Sequence, residues 1–451
     1  MSLYSSMNTA VSGLTAQSRA LGHISDNVAN SQTVGFKRTD TNFVSYVTES
    51  NADVHRPGTV LARPDFTNQV QGPIEQVENP LSMAISGEGF FSVAQPVNKN
   101  ADGSVTFDPR TFYTRAGDFS RNTEGYLVNG SGYVLQGWSV TDGVTDKTQL
   151  TPIQITEDVF TPQATGQLNF AGNLAAGGTT AQSSSIQIID SLGISRMVTL
   201  TFTPTATPTT DNSWVLSINA PAATTGTPPG TLGAVTVQFG KDPTDAAFDQ
   251  ADGTLAKFVT SDATKGTITI PTDANMAKDK PAHITFKADF GQGEQTMVLN
   301  LGTFGTAGGL TQFAPTGTSG LSVSSFEQDG IPLGAFSSVT TQKNGDVQVN
   351  YDNGQSRIVA RIPITTFKDA DKLEHLDGQA FLRTAESGEA RVVEPGADGA
   401  GLLTTRAVER SNVDIASEFS KLILAQRAYS ANTKIVSTVD EMLQETLNMR
   451  R

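Results

Sequence analysis

From Arg406 to Arg451 the chain holds neither proline nor glycine, and from Met1 to Thr48 it holds no proline. All 20 prolines lie between Pro57 and Pro395. Proline removes a backbone donor and clashes with the preceding turn. This punctuation therefore permits long helices at the two ends and breaks up everything between them.

Both ends carry the matching periodicity. Leu3, Met7, Ala10, Leu14, Gln17, Leu21, Ile24 and Val28 are spaced alternately four and three residues apart, a heptad stripe with Gln17 as its one polar member. Asn30 is suited to end this helix in the left-handed conformation, with Gly35 in the loop beyond. At the other end Ser411 is expected to cap a helix, with Asp414 completing a short capping box. Its stripe runs Ile415, Phe419, Leu422, Gln426, Tyr429, Thr433, Val436, Asp440, Leu443 and Leu447. A neighbouring line through Leu424, Ala428, Ala431, Ile435 and Val439 widens the apolar face. Nothing else in the chain offers these stripes a helical partner. They must bury against each other or against copies from other molecules.

The middle reads as β-structure. Val347, Val349 and Tyr351 alternate with polar residues up to Asn353-Gly354, and Ile358, Ala360, Ile362 and Ile364 alternate beyond it. Asn-Gly between alternating runs predicts a hairpin. Asn129-Gly130 predicts a second. Val198, Leu200 and Phe202, then Trp214, Leu216 and Ile218, then Val235, Val237 and Phe239 repeat the alternation, with Ile284 and Phe286 opening another strand. The expected fold class is α+β and multidomain, with long coiled-coil-like helices at both termini and mostly antiparallel β inner and outer domains. Residues 1–45 and 406–451 form a discontinuous helical core domain and 46–74 an extended arm. Residues 75–150 with 325–405 form an inner β domain, and 151–324 an outer β domain inserted into it.

The chemistry of the chain is sparse. It contains no cysteine, which removes disulfides, thiolate nucleophiles and zinc–cysteine sites. His23, His55, His283 and His375 show no ligand spacing, and Asp242, Asp249 and Asp252 do not match a calcium loop. Gly87-Glu88-Gly89 leads into Phe90-Phe91-Ser92-Val93, a strand rather than the helix of a dinucleotide site. No catalytic, cofactor or metal residue is assigned, and the chain reads as a non-enzyme. The net charge of −14 argues against nucleic acid. No apolar run is long enough to span a membrane, and the first residues lack a cleaved-signal pattern.

Specific motifs lie at the two ends. Asn8-Thr9-Ala10-Val11-Ser12-Gly13-Leu14 and Ile24-Ser25-Asp26-Asn27-Val28-Ala29-Asn30-Ser31-Gln32-Thr33-Val34-Gly35-Phe36-Lys37 resemble the start of the rod and hook axial proteins of the bacterial flagellum, with Asp26 where an asparagine is usual. Ser411-Asn412-Val413-Asp414, Glu418-Phe419 and Ala425-Gln426-Arg427-Ala428-Tyr429-Ser430-Ala431-Asn432 resemble that family's C-terminal signature. Asn27, Asn30, Gly35, Phe36, Asn412, Asp414, Gln426, Arg427, Tyr429 and Asn432 carry the likeness. Ala84-Ile85-Ser86-Gly87-Glu88-Gly89-Phe90-Phe91 and Tyr113-Thr114-Arg115-Ala116-Gly117-Asp118-Phe119 resemble the shared inner β domain. Leu310-Thr311-Gln312-Phe313 and Gln328-Asp329-Gly330 resemble the end of the outer domain of the family's hook branch. The length and the large insert favour that branch; a distal rod protein is the alternative within the family, and a β-sandwich adhesin the alternative outside it.

The resemblance implies a structural subunit that polymerises into a flexible tube transmitting torque from motor to filament. The assembly core would be Leu3, Met7, Leu14, Leu21, Ile24, Val28, Ile415, Phe419, Leu422, Tyr429, Val436, Leu443 and Leu447. Its partners would be copies of itself, rod proteins, and hook cap and hook–filament junction proteins. Delivery would be by the flagellar type III export apparatus, without a cleaved signal, to the hook outside the cell. Flexing is expected at the junctions near 141–165 and 311–330 and in the arm. Residues 1–48 carry three basic and two acidic side chains, and residues 406–451 seven and six. The acidic excess thus belongs to the β middle, where it favours solubility.

Overall fold

The computed structural model describes residues 3–449 except 51–54, 100–104, 142, 206–211, 226–229, 242–247, 261–267 and 315–319. The described chain is mostly β-strand with one long helix at each end: α1 (Leu3–Ala29) and α2 (Ile415–Asn448). After α1, Asn30 N–H closes onto Asp26 O at 3.0 Å, and Gly35 takes φ +70°. The cap of α2 differs from the expectation. Asp414, not Ser411, is the N-cap, its carboxylate accepting from Ala416 N at 2.9 Å and Ser417 N at 3.1 Å. Ser411 instead accepts from Val413 N at 3.3 Å. The chain is still extended there after strand Ala407–Glu409, so the free N–H groups first appear three residues later.

Two compact units divide the chain. The first holds Met1–Glu157, Ser337–Asn350 and Ser356–Arg451; the second holds Asp158–Phe336 and Tyr351–Gln355.

In the first unit, β1 (Thr39–Ser50) and β2 (His55–Phe66) form an antiparallel hairpin that packs along α1. This hairpin takes in most of the segment expected to be an extended arm. The arm's described remainder runs on to strand Ile74–Gln76, which pairs with Ala407–Glu409. Strand Met83–Ser86 pairs with Leu402–Thr405. The central strand Val134–Thr141 is flanked by Phe91–Ala94 and Ser356–Arg361, both antiparallel. Asp346–Tyr351 and Ser356–Arg361 form the hairpin announced by Asn353-Gly354. Its loop is one residue longer than the usual Asn-Gly turn. Tyr351 N–H bonds to Gln355 O at 3.0 Å, and only Gly354 takes positive φ, +79°. The Asn129-Gly130 turn has the same three-residue form, closing from Asn129 to Tyr133 with positive φ at Gly132.

The second unit is built from two sheets over one core. One is a five-stranded antiparallel meander from Gln182–Ile189 to Leu255–Thr260, in sequence order. The other is six-stranded and mixed: Gln167–Asn173 runs parallel to Glu294–Thr303 and to Leu310–Thr311 and antiparallel to Ser322–Gln328. The parallel pairs qualify the antiparallel expectation. They arise because Gln167–Asn173, entering the unit first, is flanked by strands that return only after the meander is complete. Alternating residues of both sheets, among them Phe170, Phe202, Trp214, Phe239, Phe258 and Phe286, meet in the shared core.

Candidate assembly surface

α1 and α2 pack antiparallel. Asn27 Nδ2 donates to Glu418 Oε2 at 3.1 Å, and a Cβ on Gly13 would lie 2.9 Å from Asn432 Nδ2. Paired positions therefore run in opposite directions along the two helices. The residues buried along the two helices are mostly small or polar, Ile24 and Val439 being the exceptions. On α1 they are Ala10, Ala16, Ala20, Ile24 and Asn27, and on α2 they are Glu418, Ala425 and Val439. Asn432 is half-buried beside the notch left by Gly13.

This seam rotates α2 relative to its apolar stripe. Leu422, Val436 and Leu443 are half-buried, while Ile415, Phe419, Tyr429 and Leu447 are exposed, Phe419 at 51% and Leu447 at 70%. Ile423, Leu424, Ile435 and Met442 are exposed with them. On α1, Ile24 is buried, and Met7, Leu14, Leu21 and Val28 are half-buried; the Leu3 side chain lies outside the described residues. Gln426 and Arg427 are exposed. A row of large apolar side chains along a helix that is otherwise packed marks an interaction surface.

The foot of the helix pair is fixed by polar side chains. Asn27 is buried and holds α1 to the start of β1: its Nδ2 donates to Thr39 O at 3.0 Å and its Oδ1 accepts from Thr39 N at 2.9 Å. Lys421 joins α2 to the same strand, 2.5 Å from Asp40 and 2.8 Å from Glu418. Burial pulls its ammonium down, but the hydrogen bonds and charges of Asp40 and Glu418 prevail and raise its pKa. Asn30 caps its own turn, donating to Asp26 O and Oδ1. Above this foot a groove of about 440 Å³ opens between α1, β1 and α2, lined by Ala20, Ile24, Phe43, Leu424, Ala425 and Ala428 with Asp40, Glu418 and Lys421 at its polar side.

The remaining motif residues form the joint below. Gly35 N–H donates to Glu409 O at 2.8 Å, and a Cβ on Gly35 would lie 2.4 Å from Ala116 N. Phe36 O accepts from Asn412 N at 3.4 Å, and Asn412 Oδ1 accepts from Arg38 N at 2.8 Å. Asn412 Nδ2 donates to Val70 O at 3.1 Å. At the centre lies a charged cluster that sequence reasoning did not single out. The Glu409 carboxylate, 0% exposed, meets Lys37 Nζ at 2.5 Å, Arg115 at 3.1 Å and Gly72 N at 2.8 Å. Burial lowers the pKa of both cations, with Glu409 opposing the shift in each case. These three residues lie far apart in sequence. Only the place of Lys37 and Arg115 inside the family motifs marks them beforehand.

Nearby, His375 is stacked on Phe66 with ring centroids 4.2 Å apart and meets the edge of Phe381 at 4.8 Å. Burial pushes its pKa down to about 4. Among the described residues no group of acidic and histidine side chains is placed to hold a metal, and no helix is long and apolar enough to cross a membrane.

Comparison with known proteins adds four family matches. They are "Flagella basal body rod protein" over residues 7–37 and "Flagellar hook protein FlgE/F/G D1 domain" over 84–166. "Flagellar basal body protein FlaE D2 domain" matches 161–331, and "Flagellar basal body rod FlgEFG protein C-terminal" matches 404–449. The chain is 31% identical to the flagellar hook protein FlgE of Brucella abortus over 460 residues, covering all of both chains. It is 28% identical to the flagellar hook protein FlgE of Caulobacter vibrioides over 605 residues, again covering all of both. The crystal structure of Helicobacter pylori flagellar hook protein FlgE2 overlaps 74% of this chain and all of that one, at 14% identity and a TM-score of 0.44.

Proposed function

The chain belongs to the flagellar hook protein family, and from that premise we propose how its residues serve the hook. It is a structural subunit of the hook, and its family is one of self-assembling structural proteins rather than enzymes. Neither the rod alternative nor the adhesin is favoured by the full-length relatives.

The observation that carries the mechanism is the exposed apolar row on α2. In an isolated subunit Phe419, Tyr429, Ile435 and Leu447 lie open to water while the seam with α1 is narrow and partly polar. Burying one such side chain contributes roughly 1.5–3 kcal/mol. Assembly therefore supplies what the single molecule lacks. The assembly core comprises Leu3, Met7, Leu14, Leu21, Ile24, Val28, Ile415, Phe419, Leu422, Tyr429, Val436, Leu443 and Leu447, and the two helices act as a coiled-coil-like pair lining a tube. Head-to-tail contacts between identical subunits need not close, so they generate a helical filament.

The tube couples motor to filament and bends as it turns. The chain crosses between its two units at residues 157/158 and 336/337. These crossings, together with the β1–β2 hairpin, are where flexing is assigned while each unit stays rigid. Rod proteins, hook cap and hook–filament junction proteins are the neighbours, and the type III export apparatus delivers the chain. Electron microscopy of polymerised protein tests the reading. Short curved tubes support it; a discrete particle under every polymerising condition refutes it.

A further inference from the structure

The sequence carries Asn-Gly at three places: Asn129-Gly130, Asn344-Gly345 and Asn353-Gly354. In such a pair the glycine nitrogen can reach the preceding side-chain amide readily, because glycine puts no Cβ in the way. Each asparagine Oδ1 already accepts a backbone N–H. Asn129 accepts from Ser131 at 3.2 Å and Tyr133 at 2.9 Å, Asn344 from Asp346 at 3.1 Å, and Asn353 from Gln355 at 3.0 Å. These donors polarise the amide carbon in all three. What separates the pairs is the glycine.

Gly130 N–H donates to the Asp118 carboxylate at 3.1 Å, whose charge opposes loss of the amide proton, and Asn129 is buried at 4% exposure. Gly345 is buried and clamped. Its N–H donates to Gln342 O at 3.0 Å, its carbonyl accepts from Ile362 N at 2.7 Å, and a Cβ on it would lie 2.4 Å from Ile362 O. Gly354 is exposed, with nothing within 4 Å of an added Cβ, and its N–H makes a 3.2 Å bond to the neutral Tyr351 O. We propose that Asn353 is a site of spontaneous deamidation and that the fold holds Asn129 and Asn344 against the same reaction. The Gly354 N–H gives its proton to hydroxide, and the nitrogen attacks Asn353 Cγ to form a C–N bond. The Cγ–Nδ2 bond breaks, and Nδ2 takes a proton from water and leaves as ammonia. Water then opens the cyclic imide at either carbonyl, giving aspartate or isoaspartate. The product has a consequence inside the second unit. Asn353 Nδ2 donates to Pro332 O at 2.9 Å and lies against Gly334. A carboxylate offers the Pro332 carbonyl only acceptors, so the tie is lost and two oxygens are opposed.

The test follows the full-length protein in mildly alkaline buffer made with water enriched in heavy oxygen. Mass spectrometry then reads the peptide around each asparagine over time. Label should enter at Asn353 at least about tenfold faster than at Asn129 or Asn344 in the folded protein. In urea strong enough to unfold both units the three rates should converge, since each pair is then a free Asn-Gly. Equal folded rates, a faster reaction at Asn129 or Asn344, label at Asn353 only after unfolding, or the same spread persisting in urea would each overturn the assignment. Asn353→Asp installs one product directly. Its urea midpoint, read by Trp214 in a Trp138→Phe background, should fall below that of the same background with Asn353. An unchanged midpoint would overturn the loss of the Pro332 tie.

Discussion

Replacing Glu409 by glutamine should unfold the first unit far more readily while sparing the second. The carboxylate is fully buried and is shared by Lys37, Arg115 and the Gly72 N–H. Glutamine keeps one acceptor for Gly72 but presents an NH₂ group to a cation and supplies no charge. Lys37 then retains Val70 O at 2.6 Å and the neutral amide oxygen it shares with Gly72, and Arg115 only Gly87 O at 2.8 Å and Ile85 O at 3.4 Å. Two cations are left buried without a counter-ion. Removing one partner of a buried pair costs about 3–5 kcal/mol. Lys37→Met should cost less, about 1–3 kcal/mol, because it leaves a one-to-one pair between Glu409 and Arg115 and a few unfilled acceptors. The two tryptophans provide the assay, since buried Trp138 lies in the first unit and buried Trp214 in the second. In a Trp214→Phe background, urea unfolding followed by Trp138 fluorescence reports the first unit. A shift below about 1 kcal/mol for Glu409→Gln, or a larger loss for Lys37→Met, would refute the account of the cluster.

Three further outcomes can be measured. The folded pKa of His375, about 4, lies below its ordinary 6.5, so only the unfolded chain takes up the proton between those values. Stability should be complete above about pH 6.5 and fall towards pH 4 by at most about 3 kcal/mol, and His375→Phe should flatten that stretch of the Trp138 stability profile. Phe419→Ala, Leu422→Ala and Leu443→Ala together should abolish tubes while leaving the strand signal in circular dichroism intact; normal tubes would remove these residues from the assembly core. Gly35→Ala should destabilise by about 2 kcal/mol or more, since φ is +70° and the new Cβ meets Ala116 backbone. Gly22→Ala, in helix with open space around it, should instead stabilise α1 by roughly 0.5–1 kcal/mol in urea melts of the monomer.

Much of this was legible in the chain because it rests on local rules. Two proline-free ends became α1 and α2, and the alternation of Val198, Leu200 and Phe202 or of Trp214, Leu216 and Ile218 became inward-facing strand positions. The seam between the helices was not legible. Hydrophobic periodicity follows the largest apolar side chains, and those of α2 point outward. The contact with α1 follows Glu418, Ala425, Asn432 and Val439, in which only Val439 is a sizeable apolar residue. The motif asparagines could be singled out by resemblance, but what Asn27 and Asn412 hold depends on Thr39, Glu418 and Val70 arriving from elsewhere. The Lys37–Arg115–Glu409 cluster is hidden for the same reason. Its members have no spacing pattern, because the pairing of distant strands alone brings them together. Asp414 against Ser411 shows the smaller limit. Both are capping residue types, and the choice depends on where the preceding strand ends.

The pairings of the first unit are nested like brackets. Residues 83–86 pair with 402–405, residues 74–76 with 407–409, and α1 with α2 outside both. The second unit, between residues 158 and 336, closes largely on itself and needs little that comes later. A ribosome, or any channel that releases the chain N-terminus first, therefore emits the opening bracket hundreds of residues before its closing one. Each inner layer can form while α1 still waits. The helix pair, with the surface proposed to bind other copies, is completed only when α2 arrives. If that surface joins the copies, competence to assemble comes only after both units have formed, a delay written into the order of the chain.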